Sequence, residues 1–226
     1  MLTNVKGAIF DMDGTLIDSM WVWTKIDEDY LKGKGHMVPE DLRVNIEHLG
    51  MLECANYFKV RFEIEDSIEE IFNEWNQMAI YEYTHNVNLK DGAKIFLEYL
   101  KTLNIKLALA TSNSKILLEA VLKNNGILDY FDYIITTDEA GNSKSSPEMF
   151  LYVSNILKLN PSECIVFEDI LPAVIAAKKA GMKVVGMHDL FSENVIDKIK
   201  DNADYYFYKY EEIKLLLENG NLLTKD

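Results

Sequence analysis

Two aspartates, Asp11 and Asp13, stand two residues apart directly after the apolar run Ala8-Ile9-Phe10 and are followed by Gly14-Thr15. Chains rarely end a buried strand on two like charges, because two unit charges about 4 Å apart repel by about 4 kcal/mol at an effective dielectric near 20. Similar polar groups close three other apolar runs. Ile105–Ala110 is followed by Thr111-Ser112-Asn113-Ser114, Tyr133–Thr136 leads through a short loop to Lys144, and Cys164–Phe167 is followed by Glu168-Asp169. If these runs are parallel strands, four carboxylates, a hydroxyl cluster and one lysine meet at a single sheet edge. Asp11, Asp13, Glu168 and Asp169 then carry four negative charges against the one positive charge of Lys144. A hard dication would offset the excess. All-oxygen ligands without His or Cys select Mg²⁺ over zinc. Such an ion keeps positions open for phosphate oxygens, which Thr111, Ser112, Asn113 and Lys144 could also bind, together with the free N–H groups of the helix that follows.

The elements that must position these groups alternate along the chain. Short apolar strands are expected at Val5–Phe10, Ile105–Ala110, Tyr133–Thr136, Cys164–Phe167 and Lys183–Gly186, with a weaker one at Tyr205–Phe207. Helices are expected between them, near 92–103, 114–124, 147–157, 171–180 and 211–218. Strands apolar on both faces and separated by helices predict an α/β fold, a doubly wound, mostly parallel Rossmann-like sheet. In such sheets ligands bind outside the carboxyl ends of the strands. Pro172 is expected in the first turn of its helix, where the missing N–H costs nothing.

Residues 18–84 interrupt the alternation. They show no strand pattern and read as helices at 18–34, 39–48, 51–62 and 67–83. Trp23, Ile26 and Tyr30 make one apolar face, and Ile68, Ile71, Phe72 and Trp75 another. The expected organisation is therefore a core of residues 1–17 and 85–226 with an α-helical cap of residues 18–84 inserted after the first strand. Asp18 or Ser19 is the expected N-cap of the first cap helix. The insert has fifteen Asp/Glu and six Lys/Arg and carries −9 of the net −14. That balance argues against a nucleic-acid surface, which needs a basic footprint. No run is apolar for the length of a membrane span, and the N-terminus lacks the pattern of a signal peptide. Cys54 and Cys164 match no metal spacing, and Cys164, which opens an apolar run, fits a buried thiol in a protein of the reducing cytoplasm. His36, His48, His85 and His188 fit no ligand spacing either.

Four stretches together resemble the haloacid dehalogenase (HAD) superfamily of hydrolases: "FDMDGT", "LALATSN", "KSSPEMF" and "IVFEDILPAVIAAKKAGM". The likeness spans residues 5 to about 188. The helical insert after the first motif is similar to the small α-helical cap of the β-phosphoglucomutase-like branch. The resemblance implies that Asp11 is the nucleophile that becomes an aspartyl phosphate. It implies that Asp13 protonates the leaving oxygen, then activates water, and holds Mg²⁺ through its backbone carbonyl. Thr111 and Lys144 would bind the transferred phosphoryl group, Asp169 would ligate Mg²⁺ and Glu168 would assist. An acid at position 13 favours a C–O–P substrate over halide displacement or a phosphonate, neither of which calls for that acid. The implied function is an Mg²⁺-dependent phosphatase of small phosphorylated metabolites, sugar phosphates or nucleotides, acting as a monomer. Two alternatives remain open: a β-phosphoglucomutase-type phosphotransferase and a non-enzymatic phosphate-sensing module. The chain departs from the family at Ser145, where Pro often follows the lysine, and at Ile170, where Ser often follows the aspartate. In the cap, Trp21 sits on a different helix face from Trp23 and is the candidate to touch substrate. Arg43 and Arg61 are its only arginines, which lowers the weight of the mutase alternative.

Overall fold

A computed structural model of the chain describes residues 1–46 and 49–218. In chain order the elements are β1 (Gly7–Phe10), β2 (Ile17–Asp18), α1 (Trp21–Gly33), α2 (Leu42–Ile46), α3 (Met51–Arg61), α4 (Ile68–His85), β3 (Asn88–Leu89), α5 (Ala93–Thr102), β4 (Lys106–Thr111), α6 (Lys115–Asn124), β5 (Tyr133–Thr136), α7 (Thr137–Ala140), α8 (Pro147–Leu157), β6 (Cys164–Glu168), α9 (Leu171–Lys179), β7 (Lys183–Met187), α10 (Ile196–Asn202), β8 (Tyr205–Phe207) and α11 (Tyr210–Glu218). They fall into two compact units, Met1–Ser19 with Val87–Asp226 and Met20–Asn86.

The first unit is a six-stranded, all-parallel sheet in the order β5-β4-β1-β6-β7-β8. The chain runs outward from β1 to β4 and β5, then returns to the other side of β1 for β6, β7 and β8. The carboxyl end of β1 is therefore the switch point of the sheet, where open α/β folds leave a crevice. Both faces of the sheet are apolar. Phe10 and Phe167, paired in register, stack at 4.4 Å and lie beside Phe96 of α5 and Tyr210 of α11. On the other face Ile9, Ala108 and Val166 pack against Met149, Phe150 and Val153 of α8 and Val174 and Ala177 of α9. Each fully buried side chain of this size contributes about 1.5–3 kcal/mol, and the sum holds the strand register that aligns the polar ends. Pro172 lies in the first turn of α9 as its fixed φ and missing N–H suggest. Cys164 and Cys54 are buried and unpaired.

Two expectations are corrected. Asp18 belongs to β2, which pairs antiparallel with β3 through Ile17–Leu89 and Asp18–Asn88. A two-residue strand is too short to leave a periodicity. Helix α1 consequently begins at Trp21, and its N-cap is Met20 with no side-chain cap, so neither Asp18 nor Ser19 caps it.

The second unit consists of α1–α4. Val22, Ile26 and Tyr30 of α1 face Ile71, Trp75, Ala79 and Tyr83 of α4, with Ala55 and Phe58 of α3 completing the centre. Val22 rather than Trp23 continues the buried face, at i, i+4, i+8 spacing, and Trp23 is half-buried. Tyr30 and Phe58 meet the Trp75 ring edge-to-face at 5.7 and 5.4 Å. Ser67 and Glu70 form a capping box that starts α4. Helix α2 starts at Leu42 rather than at the expected 39, and residues 47–48, with His48, lie outside the described residues. Among the described residues no helix is long and apolar enough to cross a membrane.

Candidate active site

Register brings the site together. Phe10 pairs with Leu109 on one side and Phe167 on the other, so the residues that follow, Asp11, Ala110-Thr111 and Glu168-Asp169, emerge side by side. The Asp11 N–H donates to the Phe167 carbonyl at 3.0 Å, which extends the ladder and fixes the backbone under the carboxylate. Asp11, Thr111, Lys144, Glu168 and Asp169 are all buried.

Lys144 arrives from the loop after α7 and places its Nζ between Asp11 Oδ1 and Glu168 Oε1, paired with both. Glu168 Oε2 accepts the backbone N–H groups of Asp169 and Ile170 at 2.9 and 3.1 Å. Asp169 Oδ1 accepts the Thr15 hydroxyl at 2.8 Å, and the Thr15 carbonyl accepts the hydroxyl of the buried Tyr210 at 3.1 Å. Gly14 has φ +80°, and a Cβ at this position would stand 2.5 Å from Asp169 Oδ2. Only glycine lets the turn pass so close to that carboxylate.

Electrostatics show what this arrangement lacks. Burial, with the neighbouring charges of Asp11 and Glu168, pushes the Asp169 carboxyl well above the usual range. Burial also raises Glu168, against the pull of Lys144. Burial alone would lower Lys144, but the charges of Asp11 and Glu168 outweigh it and hold the ammonium above its ordinary value. Three carboxylates and one ammonium leave two negative charges in a dry site, and protons are favoured where nothing else neutralises them. One carboxylate oxygen from each of Asp11, Glu168 and Asp169 lies within 4.8 Å of the other two. Asp169 Oδ2 is buried and accepts no hydrogen bond. An all-oxygen set with an orphaned buried lone pair and a deficit of two positive charges fits Mg²⁺.

The remaining residues singled out by sequence take distinct places. Asp13 is half-buried, and its carboxylate is outside the three-carboxylate cluster. Its Oδ1 accepts the Ser19 hydroxyl at 2.7 Å and its Oδ2 accepts the Asn113 side-chain amide at 3.0 Å. Asn113, expected among the phosphate ligands, thus has its amide directed to Asp13, while its own N–H is bonded to Thr111 Oγ1 at 3.0 Å. Ser112 is exposed at the same strand end, and Ser114 caps α6. Trp21 is half-buried in the first turn of α1, within the helical unit. Thr15 and Ser19 were not assigned to the site from sequence. Thr15 could have been suspected from its place beside Gly14, whereas Ser19 gave no signal distinct from a helix cap.

A sequence model described as haloacid dehalogenase-like hydrolase matches residues 8–187. The chain is 30% identical over 179 residues to a phosphorylated carbohydrates phosphatase of Thermotoga maritima, an alignment covering 79% of this chain and 83% of the relative. It is also 30% identical over 187 residues to the validoxylamine A 7'-phosphate phosphatase of Streptomyces hygroscopicus subsp. limoneus, covering 80% and 85% of the two. Among solved structures, a Thermotoga maritima protein provisionally named β-phosphoglucomutase superposes with a TM-score of 0.85 at 29% identity, over 95% of this chain and 99% of that one.

Proposed function

The chain belongs to the haloacid dehalogenase-like hydrolase family and is a phosphatase, and from that premise we propose that it hydrolyses small phosphorylated metabolites, sugar phosphates foremost, with Mg²⁺ and through a phosphorylated Asp11. The observation that carries this reading is the division of labour among the carboxylates. Asp11 and Asp169 share a buried, cation-deficient cluster with Lys144, and Asp13 is held apart from it by Ser19 and Asn113.

In the first step an Asp11 oxygen attacks phosphorus, the bond from phosphorus to the leaving oxygen breaks, and Asp13 gives that oxygen a proton. In the second, Asp13 takes a proton from water as the water attacks phosphorus, releasing phosphate and regenerating the Asp11 carboxylate. Lys144 and Thr111, with the N–H groups that open α6, take the phosphoryl oxygens. Asp11, Asp169 and the Asp13 carbonyl would hold Mg²⁺, with Glu168 assisting, and the bound ion supplies positive charge to the phosphoryl oxygens. Sugar phosphates are favoured because two relatives, by name, act on phosphorylated carbohydrates and on the phosphate of validoxylamine A.

A phosphomutase is the second reading, favoured by the name of the Thermotoga maritima structure. It needs a cation for a second phosphate. Arg61 of the helical unit is engaged with Asp41 at 2.7 Å and with Tyr57.

Turnover of p-nitrophenyl phosphate by the purified protein tests the main reading. Hydrolysis is expected only with Mg²⁺, and Asp11→Asn should lower kcat by at least ~10³-fold. Metal-independent turnover, or an active Asp11→Asn, would sink it. Product formation only on addition of a sugar bisphosphate would favour the mutase.

A further inference from the structure

The carboxylate of Asp13 must serve as acid and then as base toward atoms on one side of phosphorus, so its aim matters as much as its presence. Each of its oxygens has a side-chain donor: Ser19 Oγ at 2.7 Å from Oδ1 and Asn113 Nδ2 at 3.0 Å from Oδ2. The two donors differ in kind. The Asn113 amide cannot turn over, because its own Oδ1 accepts the Ser114 N–H at 2.7 Å, which leaves Nδ2 facing Asp13. That amide is further anchored by the Asn113 N–H bond to Thr111 and by Ser114 as the N-cap of α6. An amide NH₂ can only donate, whereas the Ser19 hydroxyl can donate or accept by rotating its hydrogen.

From this asymmetry we infer that Ser19 and Asn113 are positioning residues for Asp13, and that Asp13 Oδ1, on the Ser19 side, is the oxygen that delivers and recovers the proton. A proton on Oδ2 would point at the N–H of Asn113 and lose that bond. A proton on Oδ1 can rest on the Ser19 hydroxyl, which turns from donor to acceptor, and swing from there to the leaving oxygen, while the Asn113 bond to Oδ2 is kept through both steps. Ser19 is the last residue of the sheet unit and Asn113 follows β4, so the carboxyl is gripped from two segments far apart in the chain. The inference rests on the proposed role of Asp13. Loss of either grip costs orientation, and misplacement of a reacting group by about 1 Å can cost ~10²-fold.

A grip that merely satisfies a half-buried carboxylate would, when removed, lower the melting temperature and slow all substrates alike. A grip that aims the acid gives a different pattern. p-Nitrophenyl phosphate leaves as a stable anion and needs little protonation, whereas phenyl phosphate, of nearly the same shape, depends on the acid. Values of kcat/KM for both esters are compared in the wild-type protein, Ser19→Ala, Ser19→Thr, Asn113→Ala and Asp13→Asn, all with Mg²⁺ and with each variant's melting temperature recorded. In Ser19→Ala and Asn113→Ala the loss on phenyl phosphate should exceed the loss on p-nitrophenyl phosphate by ~10-fold or more. Ser19→Thr, which keeps the hydroxyl, should restore the wild-type ratio. Equal losses on both esters in the alanine variants, beside a clear gap in Asp13→Asn, overturn the positioning role and leave the role of Asp13 intact. No gap in Asp13→Asn removes the role of Asp13 and the positioning proposal with it. Should Asn113→Ala not fold, the Ser19 pair alone decides, because Ser19→Thr differs from Ser19→Ala in the hydroxyl at issue.

Discussion

At the scale of the residue, the site depends on close approach as much as on charge. Lys144 binds two carboxylates at once and so couples Asp11, just after β1, to Glu168 at the end of β6. Gly14 is the less obvious member. Its φ of +80° and the 2.5 Å separation between a would-be Cβ and Asp169 Oδ2 mean that any side chain must displace the carboxylate that carries the orphaned oxygen. Gly14→Ala should therefore lower stability by about 1–3 kcal/mol through backbone strain and weaken Mg²⁺ binding by ~10-fold or more by disturbing a ligand's orientation. Calorimetric titration of Mg²⁺ into wild-type and variant protein measures the second effect. Unchanged affinity would mean that Asp169 Oδ2 does not meet the ion.

At the scale of the element, the strand register does most of the positioning and the helix faces sustain it. Stacking of Phe10 on Phe167 locks β1 against β6 one residue before Asp11 and Glu168. A one-residue slip would turn those side chains to the opposite face. Helix α1 carries an element-level liability of its own. Burial, and to a lesser degree the charge of Glu28, raises the Asp27 carboxyl to about 7. An unfolded aspartate titrates near 4, so between about pH 4 and 7 the folded helical unit binds more protons than the unfolded one. Its stability should fall as pH rises through that window and level off above pH 7. Asp27→Asn should flatten this dependence. Melting curves at pH 5 and pH 8 check it: the drop between the two should be smaller in the variant, and an equal drop would place the pH dependence elsewhere.

At the scale of the whole molecule, the chain divides into two compact units, each with its own apolar centre, and the three clustered carboxylates belong to only one of them. If each unit unfolds cooperatively, Mg²⁺ should stabilise the sheet unit alone. At a hundred times its dissociation constant the ion contributes about 2.7 kcal/mol. Scanning calorimetry with Mg²⁺ and with chelator should show one transition moving up with the metal while the transition of the helical unit stays in place. A shift of both transitions would show that the units unfold together.

Much of this was legible in the residues themselves. The short apolar runs dictated a parallel sheet, because strands buried on both faces leave no room for polar alternation. The polar residues closing those runs marked Asp11, Asp13, Thr111, Lys144, Glu168 and Asp169, because open parallel sheets carry ligands at that edge. The partners of those residues were not legible. Thr15 on Asp169, Ser19 and Asn113 on Asp13, and Tyr210 behind Thr15 are contacts spanning up to 195 residues. Local spacing carries no record of which hydroxyl faces which carboxylate, and the same serine that reads as a helix cap can serve an acid six residues away. The chemistry is set by residue types in chain order. The aim of each group is decided by register and packing, which exist only once the chain has folded.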